Sequence, residues 1–185
     1  MTPMMIGGIA VVAVLALGLI AIYNGLVSLR NQVKNGWAQI DVQLKRRHDL
    51  IPNLVETVKG FAKHEKDTLE EVVNARSRAV SAGPVPDRAA AESELSSALG
   101  RLMVVVEQYP DLKANQNFLA LQEELTSTEN RISFARQAYN DGVMRFNTKI
   151  ESFPSNLVAG TFGFTQESFF EIDDAAERNV PEVKF

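Results

Sequence analysis

The chain has 185 residues, no cysteine, 23% charged residues and a formal net charge of −4. This length allows one domain with a real core plus a small additional element, and the composition is that of a folded chain. The lack of cysteine excludes disulfides, thiolate metal ligands and thiol nucleophiles, and the negative charge argues against nucleic acid as a partner.

An apolar run lies near the N-terminus. Residues 4–22, MMIGGIAVVAVLALGLIAI, are uncharged, and as a helix they would extend roughly 28 Å, close to the ~30 Å hydrocarbon core of a bilayer. The alternatives are a buried core helix and a cleaved signal peptide. A signal peptide has a basic start and a small-residue cleavage site, and this segment has neither. We predict a retained transmembrane anchor over residues 4–23.

The cations of the chain indicate an orientation for this anchor. No basic side chain precedes it, whereas Arg30, Lys34 and Lys45 follow it. By the positive-inside rule the short N-terminus lies outside and the C-terminal body lies in the cytoplasm, at the cell (inner) membrane. Candidate membrane-interface residues are Tyr23, Arg30, Lys34 and Trp37, and Trp37 also fits a core position.

The sequence after the anchor has the apolar spacing of long amphipathic helices. Apolar residues recur every three or four positions over residues 33–61, and the pattern resumes over residues 69–79. The segment SAGPVPD, residues 81–87, contains one glycine and two prolines and predicts a loop. Asp87 is the predicted N-cap of the next helix.

Two further breaks divide the C-terminal half. Pro110 interrupts the pattern, and a third long helix follows over about residues 115–153. Pro154 suits the first turn of a short helix, which Gly160 and Gly163 would close.

Each predicted helix has one apolar stripe that must be covered, and short loops make consecutive helices antiparallel. We therefore predict an all-α fold, in which an N-terminal transmembrane helix precedes an antiparallel up-and-down four-helix-type bundle with long helices. The predicted domains are the anchor (4–23), the bundle (24–164) and a weakly structured acidic tail (165–185). The first long helix could fold back or continue as a stalk.

The segment KRRHDLIPNLVETV, residues 45–58, contains a proline within this helical pattern. A proline inside a helix removes one hydrogen bond and crowds the carbonyl four residues earlier, here that of His48. Asp49 could restart the helix as an N-cap and place Pro52 in its first turn, where the missing N–H costs nothing. We predict a kink or a helix junction at this point.

The same segment carries the charged residues that a reactive site would need. His48 and His64 are too far apart for a helical zinc site, and no nucleotide-binding or nucleophile motif is present. We expect Arg46, Arg47 and Asp49 to form a structural cluster with acids of the third helix, namely Glu123, Glu124 or Glu129. The sequence predicts no catalytic residue, no metal, no cofactor and no small-molecule substrate.

Two runs resemble the LemA family of bacterial membrane proteins. They are YNGLVSLRNQVKNGWAQIDVQLKRRHDLIPNLVETVKGFAKHE and AYNDGVMRFNTKIESFPSNLVAGTFGF, and the resemblance extends over nearly the whole chain. It implies a helical bundle on one membrane anchor, placed in the cytoplasm, and no established catalytic activity. The polar positions that recur in the family correspond here to Asn24, Asp49, Asn53, Asn140 and Asn147, and we interpret them as junction and buried hydrogen-bonding residues.

These observations favour a membrane-anchored, non-enzymatic scaffold that binds the lipid bilayer and other membrane or cytoplasmic proteins. Self-association is expected from the small residues Gly7, Gly8 and Gly18, and from surplus apolar surface over residues 33–44. An adaptor or regulator of a membrane enzyme such as a protease is the alternative. A hydrolase that depends on Asp49 is a remote alternative.

Overall fold

The computed structural model describes residues 3–62 and 64–171, and all regular structure in these ranges is helical. The all-α class is therefore confirmed. Six helices follow one another along the chain: α1 (Pro3–Phe61), α2 (Lys66–Ser81), α3 (Val85–Val106), α4 (Pro110–Lys113), α5 (Gln116–Glu151) and α6 (Ser155–Phe162).

Helix α1 contains the predicted membrane anchor. Among the described residues it is the one helix that is long and apolar enough to cross a bilayer, and its most apolar window is wholly exposed. Large side chains such as Val12, Leu15 and Leu17 are each more than 60% exposed. A helix that is apolar on all sides and uncovered by protein fits a lipid environment.

The chain divides into two compact units. The anchor unit consists of residues up to 39 together with 135–168, and the distal unit consists of 40–134 together with the described residues after 168. Helices α1 and α5 are each divided between the two units, with one segment in each.

The distal unit has a continuous apolar core. Helices α2 and α3 pack antiparallel, as shown by the ion pairs that join Arg78 to Glu94 and Arg101 to Glu71. Their apolar faces close over the apolar face of α1 because each helix repeats its apolar residues at helical spacing. The fully buried core residues include Ile51, Leu54, Val58, Val72, Leu95, Leu102, Leu112 and Phe118.

The anchor unit packs α1 against α5 at close range. A Cβ atom on Gly36 would lie 3.3 Å from the Cα of Tyr139, so the missing side chain allows the two backbones to approach. Tyr139, Val143 and Phe146 of α5 are buried in this unit. The result is a helix pair whose separation depends on one glycine.

The predicted breaks near 81–87 and Pro110 are confirmed, as is the long helix that begins after Asn115. The side chain of Asn115 accepts a hydrogen bond from the N–H of Phe118, at 3.1 Å, which is the usual capping interaction. The prediction that Asp87 is the N-cap of α3 is wrong, because α3 begins at Val85, two residues earlier, and Asp87 lies inside its first turn.

Of the kink or helix junction predicted at Asp49 and Pro52, a new helix does not start there, because α1 continues through both residues to Phe61; a kink at Pro52 stays a prediction. The chain turns after α1, between the two parts of the apolar pattern that the sequence showed over 33–61 and 69–79, and α2 begins at Lys66. Arg76 of α2 lies beside His48 of α1, so this part of the chain folds back on itself.

The up-and-down order of four helices and the bounds of anchor, bundle and tail stay predictions. In the predicted tail, residues 165–171 form no helix and Phe170 is buried. The remainder of the tail lies outside the described residues.

Candidate functional site

Arg47 occupies the centre of a buried ionic network in the distal unit, although such a long cation is rarely buried unless it is paired. Only 2% of it is exposed. Its Nη1 donates to Glu129 Oε1 at 2.6 Å and to Ser96 Oγ at 3.0 Å, and its Nη2 pairs with Glu92. His48 completes the Arg47 network, with its Nε2 2.8 Å from Glu92 Oε1.

The charges of this network stabilise one another. Burial alone would lower the pKa of Arg47, but the carboxylates of Glu129 and Glu92 outweigh burial and raise the pKa. Burial alone would raise the pKa of Glu92, but the hydrogen bond from His48 and the charge of Arg47 outweigh it and lower the pKa. Glu92 is therefore ionised, and an ionised carboxylate accepts only, so Nε2 of His48 carries the donated proton.

The backbone beneath the network explains how Pro52 fits inside α1. Proline has no N–H to donate to the carbonyl of His48, four residues earlier. That carbonyl instead accepts a hydrogen bond from Nε of Arg76, at 2.7 Å. Arg76 thus replaces the donor that Pro52 lacks, and α1 continues without a break.

The Arg47 network is arranged to stabilise helix packing rather than to bind a substrate. Both terminal nitrogens of Arg47 are occupied by protein acceptors, so the guanidinium has no open face for an anionic substrate. Its partners belong to α1, α3 and α5, and the network fixes the register of these three segments within the distal unit. Within residues 3–62 and 64–171, no three side chains among His, Asp and Glu are grouped to hold a metal ion.

A groove lies elsewhere on the distal unit, where α1 ends and α2 begins. Its volume is about 780 Å³. Val55, Ala62 and Leu69 supply apolar lining, and Lys59 and Lys66 supply positive charge; the remaining lining residues are Glu70, Val73 and Asn74. Such a mixed, open groove can accept a segment of another protein.

The anchor unit contains an aromatic cluster directly after the apolar run of α1. The ring of Tyr23 lies 4.9 Å from Phe162 and 5.8 Å from Phe164, measured between centroids. The guanidinium of Arg30 lies 5.0 Å from the centroid of Phe164, in cation–π contact. We refer to Tyr23, Arg30, Phe162 and Phe164 as the juxtamembrane cluster.

Asn147 also holds the chain after α6 in the anchor unit. Its side chain donates to the carbonyl of Glu167 at 2.9 Å and accepts from the N–H of the same residue at 3.0 Å. The hydroxyl of Tyr139 donates to the carbonyl of Ser168 at 2.8 Å, and burial raises the pKa of Tyr139 to about 12. These bonds tie the segment after α6 to α5.

The other predicted junction residues differ in exposure. Asp49, Pro52 and Asn53 have exposed side chains, and the carbonyl of Asn53 accepts from Thr57 within the helix. Asn140, like Asn147, is half-buried, and Asn24 is exposed. Burial is therefore partial at Asn140 and Asn147 and does not occur at Asn24, Asp49 or Asn53, while the role of these residues stays a prediction.

The predicted interface residues are placed differently from one another. Tyr23 and Arg30 belong to the juxtamembrane cluster, whereas Lys34 is exposed on α1. Trp37 is half-buried with its ring 5.6 Å from that of Tyr139, which matches its alternative interpretation as a core residue.

The cluster expected around Arg46 and Arg47 forms in part. Arg46 pairs with Glu124 at 2.7 Å on the surface, and Arg47 pairs with Glu129, but Asp49 is exposed and belongs to no part of the Arg47 network. Sequence reasoning missed Glu92 and Ser96. The burial of Glu92 could have been predicted from its spacing, because it lies three residues before Leu95 on the apolar face of α3, but its pairing with Arg47 could not.

Comparisons with known proteins give a family match and several named relatives. The sequence model described as "LemA family" matches residues 36–185. Magnetosome protein MamQ 2 of Paramagnetospirillum magneticum is 26% identical over 203 residues, covering 96% of this chain and 74% of the relative.

Two further relatives are similar over most of their length. Protein LemA of Metamycoplasma hominis is 28% identical over 159 residues, covering 85% of this chain and 72% of the relative. Magnetosome protein MamQ of Magnetospirillum gryphiswaldense is 24% identical over 184 residues, covering 85% of this chain and 68% of the relative.

Proposed function

The chain belongs to the LemA family, and we propose that it is a membrane-anchored, non-enzymatic scaffold whose helices present binding surfaces to other proteins. The observation that carries the proposal is the continuity of α1. One helix of 59 residues contains the exposed apolar run and also supplies buried core residues to the distal unit. The same helix thus joins the membrane anchor to the unit that carries the candidate binding surface.

The scaffold is oriented with its N-terminus outside and its helical body in the cytoplasm, at the inner membrane. Arg30 and Lys34 on the C-terminal side of the apolar run support this orientation. The groups that could have suggested catalysis are otherwise engaged: Arg47, His48 and Glu92 bind one another.

The partner-binding surface is the groove at the end of α1. Its accessible apolar lining, the half-buried Val55 and the exposed Val73, fits the apolar face of a helix from another protein, and Lys59 and Lys66 fit acidic residues beside that face. We commit to this occupant, an amphipathic helix with acidic flanks, because the two lysines supply the complementary charge.

Capture from native membranes in mild detergent tests this surface. The full chain with Lys59→Glu and Lys66→Glu is compared with the full chain carrying Lys45→Glu, which removes an exposed cation outside the groove. The proposal expects a copurifying protein that the double variant loses and the control retains. Equal recovery with both variants, or no specific protein with either, would contradict it.

The scaffold also self-associates through the small-residue face of its anchor. A Cβ atom added to Gly7, Gly8 or Gly18 would meet no atom within 4 Å, and the spacing of eleven residues places Gly7 and Gly18 on one side of α1. Self-association does not come from surplus apolar surface over residues 33–44, because Val33, Ile40 and Leu44 are buried within the chain itself.

The absence of native cysteine makes a disulfide test simple. Gly18→Cys is expected to cross-link into a dimer in oxidised native membranes because two such faces allow close approach. Ala16→Cys, about 160° away around the helix, is the matched control and should remain monomeric. Monomer alone for Gly18→Cys, or equal cross-linking at both positions, would exclude this face as the contact.

A further inference from the structure

Helix α6 has large apolar side chains on both of its faces. Its inner face, with Val158 and Ala159, is buried in the anchor unit. Its outer surface also carries them: Phe153, just before the helix, is 80% exposed, and Leu157 and Phe162 are each more than 60% exposed. Asn156 and Thr161 are the exposed polar residues of α6, and exposed large apolar side chains beside them are unfavourable in water.

The sequence around α6 has no charge for an unusual length. No Asp, Glu, Lys or Arg occurs between Glu151 and Glu167. An amphipathic surface helix in contact with water carries polar or charged residues on its outer side. The outer side of α6 carries no charge and combines aromatic and aliphatic groups with the uncharged polar residues Asn156 and Thr161, a composition that favours the interfacial region of a bilayer.

The position of α6 in the anchor unit places it beside the predicted membrane surface. Phe162 contacts Tyr23, and Tyr23 immediately follows the uncharged run that ends at Ile22. Arg30, which contacts Phe164, lies eight residues after Ile22, about 12 Å along the helix, near the depth of lipid headgroups. The side chains of the anchor unit include five cations and three acids, in a chain of net charge −4.

We propose that α6 is a second membrane contact, whose outer face (Phe153, Leu157 and Phe162) inserts into the same leaflet in which the apolar run of α1 ends. The occupant of this face is lipid. Lipid is the occupant because the apolar surface of the anchor continues through Tyr23 to Phe162 without an intervening charge. Burial of two or three large apolar side chains at the interface would fix the tilt and rotation of α1, because a single helix alone leaves both free.

Tryptophan fluorescence in the full chain tests the contact. Trp37 is the only tryptophan, and Trp37→Phe gives a background into which single tryptophans are introduced at Phe153, Leu157, Leu15 or Phe134. The variants are reconstituted in vesicles of phosphatidylcholine and phosphatidylglycerol, with and without brominated acyl chains, and circular dichroism confirms their helicity. Phe134 is the matched control because it is an aromatic residue of the distal unit with similar exposure, 73%.

The proposal expects brominated lipid to quench tryptophan at 153 and 157 several-fold more than at 134. It rests on the proposed membrane anchor, which position 15 reports separately. Quenching at 15 without quenching at 153 and 157 overturns the α6 contact and leaves the anchor intact, whereas no quenching at 15 contradicts the anchor itself. If tryptophan at 153 and 157 is quenched by aqueous acrylamide, or by neither agent, the face meets water or protein, and the proposal is wrong.

Discussion

Arg46 and Arg47 are neighbours in the sequence, yet they make ion pairs of different kinds. Arg46 reaches Glu124 on the surface, where solvent competes with both partners. Arg47 is buried with Glu92, and neither charge is accessible to water. A surface pair contributes little to stability, whereas the loss of one partner from a buried pair leaves the other charge uncompensated.

Arg47→Met is therefore expected to lower the free energy of unfolding by about 3–5 kcal/mol. Arg46→Met, the matched control one residue earlier, is expected to cost less than about 1 kcal/mol. Urea unfolding of the detergent-solubilised chain, followed by circular dichroism, measures both. Equal effects would show that the Arg47 network does not stabilise the distal unit more than a surface ion pair does.

The lowered pKa of Glu92 predicts how stability depends on pH. A carboxyl whose folded-state pKa lies below its ordinary value of 4.5 contributes stability above that pH. The contribution is lost as the pH falls through the folded-state pKa, because protonation then removes the ionised partner of Arg47.

The difference in free energy of unfolding between the native chain and Glu92→Gln should thus be constant above about pH 4.5 and shrink below it. Unfolding titrations at a series of pH values measure this difference. A difference that stays constant or grows in acid would show that Glu92 is not stabilised in its ionised form.

The residue-scale prediction from the sequence was correct in part. The sequence predicted a cluster of Arg46, Arg47 and Asp49 with Glu123, Glu124 or Glu129, without assigning individual pairs, and the pairs Arg46–Glu124 and Arg47–Glu129 form. It did not predict Glu92, because a lone acid in an apolar stripe has no partner visible in the sequence and its pairing depends on the packing of α3.

At the scale of helices, Pro52 and Arg76 act together across α1 and α2. The carbonyl of His48 cannot accept a hydrogen bond from Pro52, which has no N–H, and accepts one from Nε of Arg76 instead. Asp49 has the residue type of an N-cap, and the sequence thus favoured a junction. Arg76 is 28 positions from His48, so no local pattern could show that it satisfies the carbonyl.

A double-mutant cycle is expected to detect this coupling. Arg76→Leu alone should cost about 1–3 kcal/mol, since it leaves the His48 carbonyl without its donor. In the Pro52→Ala background the cost should be smaller, because the new N–H of residue 52 can donate to the same carbonyl. Equal cost of Arg76→Leu in both backgrounds would refute the replacement.

The glycines of the α1–α5 pair in the anchor unit make a second comparison at this scale. Gly36→Ala should destabilise the protein by about 1 kcal/mol, because its Cβ would press on the backbone of Tyr139. Gly142→Ala meets only ordinary contacts, the nearest at 3.8 Å, and should stabilise by up to about 1 kcal/mol through helix propensity.

Thermal unfolding of the two alanine variants in the same detergent measures the contrast. A gain in stability for Gly36→Ala would show that the helices can separate without cost and that the close approach is unimportant.

The turn between α1 and α2 shows why helix ends are harder to predict than helix faces. Val58 and Leu69 are both buried and lie eleven residues apart, which is just over three full helical turns. The apolar phase is therefore preserved across the turn, and the sequence left open whether the first helix folds back or continues as a stalk. Phe61 and Val73, which the apolar spacing assigned to the stripe, are exposed.

Across the whole molecule, one helix, α1, is suited to two environments, a lipid bilayer at its N-terminal part and a protein core at its C-terminal part. The N-terminal part of α1 has exposed apolar residues on all sides, and its C-terminal part has one apolar face covered by α2, α3 and α5 segments of the distal unit. Composition and periodicity were enough to predict both parts, because lipid and a protein core each leave a distinct apolar pattern.

The most direct test of this account labels single cysteines with a membrane-impermeant maleimide in intact spheroplasts. Thr2→Cys lies before the apolar run and Lys45→Cys lies after it, and the native chain has no cysteine to interfere. The account predicts that Thr2→Cys is labelled from outside, whereas Lys45→Cys is labelled only after the membrane is permeabilised. Labelling of Lys45→Cys in intact spheroplasts would contradict a membrane-spanning α1 that carries its helical body into the cytoplasm.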